Sequence, residues 1–171
     1  MIFIALGSNL SHELYGPPCR VLEEALGQLD DGALSVRRRS RWYRSPPWPL
    51  SDQPWYVNGV AELETSDGPR DTLARLHDLE AAFGRRRGLR NAARVLDLDL
   101  IDWHGRVLEE LEGLCLPHPR MQDRDFVLRP LAELAPDWRH PVTGRSIGDL
   151  IADLPPGSEA EPIEDRVSSL R

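Results

Sequence analysis

Acidic and aliphatic residues alternate in the segment Arg94-Val-Leu-Asp-Leu-Asp-Leu-Ile-Asp102. Alternation with a period of two is typical of a β-strand, and it places Asp97 and Asp99 on the same face of that strand. The rise of a strand separates the roots of these two carboxylates by about 6–7 Å. Two carboxylates on one rigid strand offer the oxygen ligands that Mg²⁺ binds. The segment therefore predicts a strand that carries a candidate metal site.

An arginine-rich segment, Gly84-Arg-Arg-Arg-Gly-Leu-Arg90, comes shortly before this strand and is followed by Arg94. The planar guanidinium group binds phosphate oxygens through two N–H groups at once. Together, the acidic strand and the arginines suggest a site for a metal-bound polyphosphate. Each feature also has a plainer interpretation, because paired acids are typical of a solvated sheet face and arginine runs are typical of solvated loops or salt-bridge donors.

Composition narrows the chemistry that this chain can perform. All 21 basic residues are arginine, and the sequence contains no lysine. A Walker A lysine, a protein-kinase lysine and a Schiff-base mechanism are therefore excluded. The formal net charge of −7 disfavours a nucleic-acid binder that acts through general electrostatics, although arginines cluster at residues 37–44 and 85–94.

Length and residue content predict the domain organisation and the compartment. The 171 residues suffice for one ordinary domain, and 40% apolar with 29% charged residues is typical of a soluble globular protein. Cys19 and Cys115 form neither a CxxC pair nor a zinc spacing, so no structural disulfide or zinc site is expected. The apolar start lacks the basic region of a signal peptide, and no segment is long enough to cross a membrane. We expect a cytoplasmic protein with one domain at residues 1–154 and a loosely held, proline-rich tail at residues 155–171.

Hydrophobic periodicity predicts that strands and helices alternate along the chain. Strands are predicted at residues 1–6, 34–43, 55–65 and 94–102, and helices at residues 17–29, 69–83, 126–134 and 146–154. Residues 7–9 should form a turn, residues 45–49 a proline-rich loop, and the region of His104 and Gly105 a hairpin. This order lacks a strict βαβ rhythm, so it predicts an α+β sandwich with a mainly antiparallel sheet and helices packed on it.

Several short blocks follow one another in a fixed order across roughly residues 2 to 138. They are Ala5-Leu-Gly-Ser-Asn-Leu10, Tyr43-Arg-Ser-Pro-Pro47, Asp52-Gln-Pro-Trp-Tyr-Val-Asn58, Glu62-Leu-Glu-Thr65, Arg94-Val-Leu-Asp-Leu-Asp99, Leu116-Pro-His-Pro-Arg120 and Phe126-Val-Leu-Arg-Pro-Leu131. In these blocks the chain resembles the 6-hydroxymethyl-7,8-dihydropterin pyrophosphokinases of folate biosynthesis. The resemblance implies a ferredoxin-like α+β fold. It also implies transfer of a diphosphate from ATP to the hydroxymethyl group of the pterin, with release of AMP.

The same resemblance implies a set of site residues. Asp97 and Asp99 would bind two Mg²⁺ ions, and Arg85 and Arg94 would be the catalytic arginines. The pterin would be bound by Ser45, Pro46, Pro47, Trp48, Tyr56, Asn58 and Phe126. ATP, the co-substrate, would be contacted by His77, Glu80, Arg87, Leu100, Cys115, His118 and Arg124. The implied partners are these small molecules alone, without nucleic acid or membrane, and the protein is expected to be a monomer.

The residue types suit these roles on physical grounds. Tyr56 or Phe126 can offer a ring face to a flat heterocycle, although Phe126 could equally be an ordinary core residue. Asn58 has both a donor and an acceptor for the amide-like edge of a pterin, although it could also be a polar residue at a ladder edge. His118 lies between two prolines on a stiff loop, and surface histidines without a ligand are also common. No residue stands out as a general base, and Asp97 is the nearest candidate.

The chain departs from the commoner family pattern in four places. Residues 91–93 are Asn-Ala-Ala where a Trp-Gly-Pro is usual, and the arginine loop is one residue shorter. Pro119 replaces a frequent aromatic residue, and residues 13–18 are an insertion. None of these changes removes a predicted metal ligand or catalytic arginine, so an active enzyme is expected.

Three other interpretations remain open at the level of sequence. A nucleotidyltransferase also combines a Gly-Ser turn with Asp-x-Asp, but Gly7 and Asp97 are 90 positions apart here. A ferredoxin-like RNA-binding module could use the arginine loop, although the aromatic RNA-binding signature is missing. A relative that keeps the fold as a scaffold is disfavoured by the presence of all four predicted catalytic and metal-binding residues.

Overall fold

The computed structural model describes residues 1–85, 92–110, 113–157 and 159–164. Within these ranges the strands are β1 (Ile2–Ser8), β2 (Leu34–Arg39), β3 (Tyr43–Ser45), β4 (Tyr56–Thr65), β5 (Asp97–Trp103), β6 (Leu108–Glu109), β7 (Cys115–Leu116) and β8 (Glu161–Pro162). The helices are α1 (Pro18–Leu29), α2 (Pro69–Ala82), α3 (Asp125–Leu134) and α4 (Ile147–Ala152), with a 3₁₀ turn at Met121–Asp123. None of the described helices combines the length and the apolar character needed to span a bilayer.

The central strand β1 pairs antiparallel with β4 on one side and β5 on the other. The main sheet has the order β5-β1-β4-β3-β8, and β2 also pairs with β4. Every residue of β1 is buried, because both faces of the sheet are covered. Ile2, Ile4 and Leu6 pack in one core with the buried residues of α1, and Phe3 and Ala5 pack in a second core with α3 and α4. The predicted α+β class, a mainly antiparallel sheet with helices packed on it, is confirmed.

The predicted strand at residues 34–43 is wrong in its continuity, because the structure divides it into β2 and β3. Between them, the backbone N–H of Arg41 donates to the carboxylate of Glu133 on α3, at 2.9 Å. The Ser40 hydroxyl accepts from the backbone N–H of Val60 at 3.1 Å and occupies a position that a strand neighbour would otherwise fill. The backbone N–H of Ser40 still donates to the carbonyl of Val60 at 2.9 Å, but at Arg41 a side chain replaces the ladder partner, which periodicity alone does not indicate.

Two predicted turns also differ from the structure. Gly7 and Ser8 belong to β1, where they pair with Asn58 and Val57, and the first hydrogen-bonded turn lies further on, between His12 and Gly16. A tight turn does occur at His104 and Gly105, both of which have positive φ. However, the strand that follows it, β6, pairs with β7 rather than with β5.

Part of the segment that was predicted to be a tail contacts the sheet. The strand β8 pairs antiparallel with β3, and the backbone N–H of Ile163 donates to the carbonyl of Trp42 at 2.7 Å. Ala160 is buried. Residues 165–171 lie outside the described part of the chain.

Candidate active site

A cleft opens where one end of β1 lies between the adjoining ends of β5 and β4. It is lined by residues from the central strands, the proline-rich loop after β3, and the start of α3. Most of the predicted site residues line it: Ser45, Pro46, Pro47, Trp48, Tyr56, Asn58, Arg94, Asp97, Asp99, Arg124 and Phe126. Residues from four separate blocks of the sequence are thus brought to one place.

The two acids project from β5 into this cleft. Asp97 and Asp99 are partly exposed, whereas Leu98 and Leu100 between and after them are buried. The predicted placement of both carboxylates on one face is confirmed. A register shift opposite Phe3 and Ile4 adds one residue to β5 at Ile101. This bulge allows the next acid, Asp102, to accept from the indole N–H of Trp138 at 2.8 Å within the second core, so Asp102 has a structural role.

Arginines neutralise both carboxylates. Asp97 Oδ1 lies 2.7 Å from Arg94 Nη1 and 3.0 Å from Arg85 Nη1. Asp99 Oδ2 accepts from Arg124 Nη1 at 3.1 Å. Burial opposes the charge of Arg94, but the neighbouring Asp97 raises the pKa of Arg94, so this guanidinium stays charged. The cleft therefore contains alternating acidic and basic groups.

Asn9 fixes the backbone of Arg94. The side-chain oxygen of Asn9 accepts from the backbone N–H of Arg94 at 2.8 Å. The backbone N–H of Asn9 donates to the Arg94 carbonyl at 3.0 Å. Its amide nitrogen donates to Gln53 Oε1 and to the carbonyl of Pro54, at 3.2 and 3.1 Å. One buried asparagine thus connects the loop beside the cleft to the start of the acidic strand. The residue-by-residue prediction did not include it.

Glu80 lies behind the acidic strand. This buried residue on α2 accepts from the backbone N–H of Leu98 at 2.6 Å and forms an ion pair with Arg85. Burial raises the pKa of Glu80 to about 7, against the opposing effects of the Leu98 N–H and Arg85. Arg85 therefore joins Glu80 to Asp97, although it is not part of the cleft lining.

His118 lies close to Asp99. Its Nε2 lies 3.8 Å from Asp99 Oδ1, and its Nδ1 accepts from the backbone N–H of Arg120 at 3.2 Å. An accepting Nδ1 leaves the proton of the neutral ring on Nε2, directed toward Asp99. Burial lowers the pKa of His118, although Asp99 opposes this effect.

The part of the cleft formed by β3, β4 and the start of α3 suits a flat polar ring. Asn58 Nδ2 donates to Ser45 Oγ at 2.8 Å, and both residues are buried. The amide oxygen of Asn58 faces Gly7, where a Cβ atom would lie 3.2 Å away. Phe126 is half-buried and lines the cleft, with the guanidinium of Arg124 at 5.7 Å from its ring centre. Burial, and secondarily the charge of Asp97, raise the pKa of the Tyr56 hydroxyl.

Five predicted ATP contacts within the described residues do not line the cleft, and two of them, Glu80 and His118, instead contact Arg85 and Asp99. Leu100 is buried in the first core, Cys115 is half-buried on β7, and His77 is exposed on α2. Arg87 lies outside the described residues, as does Asn91. Conversely, the cleft lining includes Gly7, Gln53 and Arg120. These three were not among the predicted site residues, although each lies within one of the family blocks.

The donor set suits magnesium rather than a metal held by protein ligands alone. Within the described part of the chain, no group of three or more histidine, cysteine, aspartate or glutamate side chains could hold a metal ion. Magnesium is commonly bound by one or two carboxylates, with substrate phosphates and water completing its shell. Asp97 and Asp99 at an open cleft fit that pattern.

The antiparallel fold and its acid- and arginine-lined cleft define an α+β enzyme of the phosphoryl-transfer class. The profile of the 7,8-dihydro-6-hydroxymethylpterin-pyrophosphokinase (HPPK) family matches residues 3–136. The chain therefore belongs to the HPPK family. The resemblance in the sequence blocks is confirmed, and so is the predicted enzyme class, a pyrophosphokinase.

Two bacterial relatives are similar over most of this chain. A 2-amino-4-hydroxy-6-hydroxymethyldihydropteridine pyrophosphokinase of Synechocystis is 43% identical over 156 residues, which cover 88% of this chain and 74% of the relative. The protein of the same name from Pseudomonas aeruginosa is 42% identical over 157 residues, which cover 90% and 91% of the two chains.

Solved structures of larger proteins share the fold. A crystal structure of HPPK-DHPS in complex with substrates superimposes with a TM-score of 0.64 at 11% identity, over 88% of this chain and 42% of that one. A Plasmodium falciparum HPPK-DHPS triple mutant gives 0.65 at 14% identity. The chain thus spans less than half of these longer proteins, and at such identities the likeness concerns the fold alone.

Proposed function

We propose that the protein transfers a diphosphate group from ATP to the hydroxymethyl group of 6-hydroxymethyl-7,8-dihydropterin, and that the products are the pterin diphosphate and AMP. One observation carries this proposal. A single cleft brings the polar pair Asn58 and Ser45, with the rings of Tyr56 and Phe126, together with two carboxylates that are paired with arginines. The names of the bacterial relatives support the same reaction.

The pterin occupies the pocket between the proline-rich loop and α3 in this proposal. The Asn58 amide nitrogen donates to Ser45 and its oxygen faces Gly7 in the cleft lining, so the oxygen can bind the amide-like edge of the ring. Tyr56 and Phe126 offer ring faces, and Pro46, Pro47 and Trp48 complete the apolar wall. The hydroxymethyl group would then point along β1 toward Asp97.

The triphosphate occupies the acidic and arginine-rich end. Arg94, Arg85 and Arg124 supply guanidinium groups that bind phosphate oxygens once nucleotide is present. Asp97 and Asp99 would hold two magnesium ions, which when bound supply charge neutralisation to the phosphates. Glu80 and His118 are proposed to contact ATP from behind and beside this pair. Contacts of ATP with His77, Arg87, Leu100 and Cys115 stay predictions.

The chain's residues act mainly by positioning and by neutralising charge. The hydroxymethyl oxygen attacks the β-phosphorus, the bond from that phosphorus to the α,β-bridging oxygen breaks, and AMP leaves. Arg94 and Arg85 stabilise the charge on the transferring group. No residue stands out as a general base, and Asp97 is the nearest candidate to accept the proton of the attacking hydroxyl.

We further propose that the protein acts in the cytoplasm as a monomer, without nucleic acid or membrane partners. The arginine cluster at residues 37–44 supports the absence of a nucleic-acid partner, because most of its guanidinium groups already form ion pairs with carboxylates. Ion pairs join Arg37 to Glu64, Arg38 to Glu62, Arg41 to Glu133 and Arg44 to Glu161. This cluster is therefore a poor basic surface for RNA.

The decisive experiment identifies the nucleotide product. The purified protein is incubated with magnesium, ATP and 6-hydroxymethyl-7,8-dihydropterin, and the products are separated by anion-exchange chromatography. AMP that appears in equal amount with a pterin diphosphate supports the proposal. Pyrophosphate as the product would indicate a nucleotidyltransferase, and ADP would indicate transfer of a single phosphoryl group; either result would overturn it.

A further inference from the structure

We propose that residues 159–163, here called the C-terminal segment, position the pterin side of the cleft, and that Asp125 is the residue that anchors this segment. This inference rests on the proposed function, because the pterin is the ligand whose binding it concerns. Neither Asp125 nor the C-terminal segment belongs to the predicted site.

Asp125 is the first anchor. Its side chain is only 1% exposed at the start of α3. Oδ2 accepts from the backbone N–H of Ala160, and Oδ1 accepts from Arg129 Nε one turn further along the helix. A buried carboxylate needs such partners, and both of its oxygens have one here. The neighbours of Asp125 in the sequence, Arg124 and Phe126, both line the cleft.

The short strand β3 is the second anchor. Tyr43 and Arg44 pair with Pro162 and Glu161, and the Arg44 guanidinium lies 2.7 Å from the Glu161 carboxylate. The C-terminal segment thus covers the outer edge of β3. This strand ends at Ser45, the residue that accepts from Asn58 in the pterin pocket. A strand of three residues gains much of its order from having neighbours on both sides.

A small second cavity connects the two anchors. It lies behind the pterin pocket and is lined by Ser45, Trp48, Asp125, Phe126 and Pro155, among others. Ser45, Trp48 and Phe126 line both this cavity and the main cleft. Release of the segment would therefore allow the wall that carries these three residues to shift.

The effect should be selective because of the order of the strands. The C-terminal segment lies at the β8 end of the sheet, and Asp97 and Asp99 lie on β5 at the opposite end. Loss of the segment should therefore weaken binding of the pterin much more than binding at the triphosphate end, where Arg124 keeps its own contact with Asp99. A residue that only stabilised the whole fold would not change KM for the pterin and leave KM for ATP nearly the same.

The test compares two truncations of the full chain. Deletion of residues 159–171 should raise KM for the pterin about tenfold, the size expected for loss of a buried, charge-assisted hydrogen bond. KM for ATP and kcat should stay within about twofold. Deletion of residues 165–171 is the matched control and should leave all three constants unchanged. Circular dichroism and thermal melting show whether each variant is folded.

The full-length variant Asp125→Asn keeps the test valid if the longer truncation fails to fold. It retains the shape of the side chain and loses the charge that both donors face, so it should raise KM for the pterin in the same selective way by a few fold. The proposal is overturned if a folded variant leaves KM for the pterin unchanged, or raises KM for both substrates equally. If the unmodified protein forms no AMP and pterin diphosphate, the proposed function fails, which is a different result from an active enzyme that is indifferent to the segment.

Discussion

Arg94 Nη1 lies 2.7 Å from Asp97 Oδ1, and Arg85 Nη1 contacts the same oxygen at 3.0 Å. Both predicted catalytic arginines are thus paired with one predicted metal ligand. These pairs neutralise a carboxylate that would otherwise repel Asp99 two residues away. In the proposed reaction, nucleotide binding replaces them, so that Asp97 faces the metal and the arginines face phosphate oxygens. In this proposal, the arginines that pair with Asp97 are the same groups that later bind the phosphates.

The first prediction concerns Asp97. Asp97→Asn should lower kcat by about 10²–10³-fold, because an amide is a poor ligand for the magnesium that the phosphates require. The free energy of unfolding should change by about 1 kcal/mol or less, since Asp97 and its arginine partners are partly solvated. Release of AMP and urea unfolding measure the two effects. Asp137→Asn, at an exposed site distant in sequence, is the control. Normal turnover by Asp97→Asn would remove this residue from metal binding.

The second prediction separates chemistry from binding at Arg94. Arg94→Ala should lower kcat by about 10²–10³-fold while KM for the pterin changes by less than about threefold. Arg94→Lys should recover only part of the rate, because lysine keeps the charge but cannot bind two phosphate oxygens in the planar arrangement of arginine. Steady-state kinetics with both substrates varied gives these constants. If Arg94→Ala turned over at the normal rate, the catalytic role of Arg94 would be disproved.

The third prediction concerns the floor of the cleft at Gly7. A Cβ atom there would lie 3.2 Å from Asn58 Oδ1 and 4.0 Å from Asp97 Cβ, between the proposed pterin and metal sites. Gly7→Ala should therefore raise KM for the pterin by about tenfold, since the added methyl group meets the amide that binds the ring. Isothermal titration with the pterin and a non-hydrolysable ATP analogue measures the affinity directly.

The control for Gly7 is a glycine with free space around it. At Gly27 on α1, no atom beyond its chain neighbours and the backbone of its own helix lies within 4 Å of an added Cβ. Gly27→Ala should leave pterin affinity unchanged and stabilise the protein by roughly 0.5–1 kcal/mol, because alanine loses less backbone entropy in a helix. Equal pterin affinities for the two variants would show that Gly7 does not border the ring site.

Local pattern predicted most of the elements that build the cleft. The alternation around Asp97 and Asp99 depends only on the period of a strand, so the sequence shows it directly. The buried stripe of α1, from Val21 to Leu29, follows in the same way from the helical period. The family blocks then brought together residues that are far apart in the sequence, such as Asn58 and Phe126.

Features that depend on one tertiary contact were not predictable in this way. The break between β2 and β3 exists because Glu133, from a distant helix, binds the backbone of Arg41. Asn9 binds Arg94, 85 residues away, and nothing in its neighbourhood indicates that partner. The pairing of Glu161 with Arg44 spans 117 residues and involves only a two-residue strand, which is too short for any periodicity.

The last prediction concerns stability against pH and involves His140. This histidine is buried, and its Nδ1 accepts from the backbone N–H groups of Val142 and Thr143 at 3.2 and 3.3 Å. Burial lowers the pKa of His140, although Asp102 opposes the shift. Protonation in the folded state would turn the accepting nitrogen into a donor that faces two donors. In the unfolded chain the same ring takes up a proton near pH 6.5.

Below that pH the unfolded state therefore binds more protons than the folded state, and the contribution of His140 to the free energy of unfolding is lost as the pH falls. Above about pH 7 this contribution is fully present. His140→Asn keeps an acceptor for the two N–H groups but cannot titrate, so its stability should fall less than that of the unmodified protein between about pH 7.5 and 5. Urea unfolding at about pH 5, 6 and 7.5 gives both curves. The burial of His118 lowers its pKa in the same direction in both proteins, so only the difference between the curves reports on His140. Parallel curves would show that His140 is protonated equally in the folded and unfolded states.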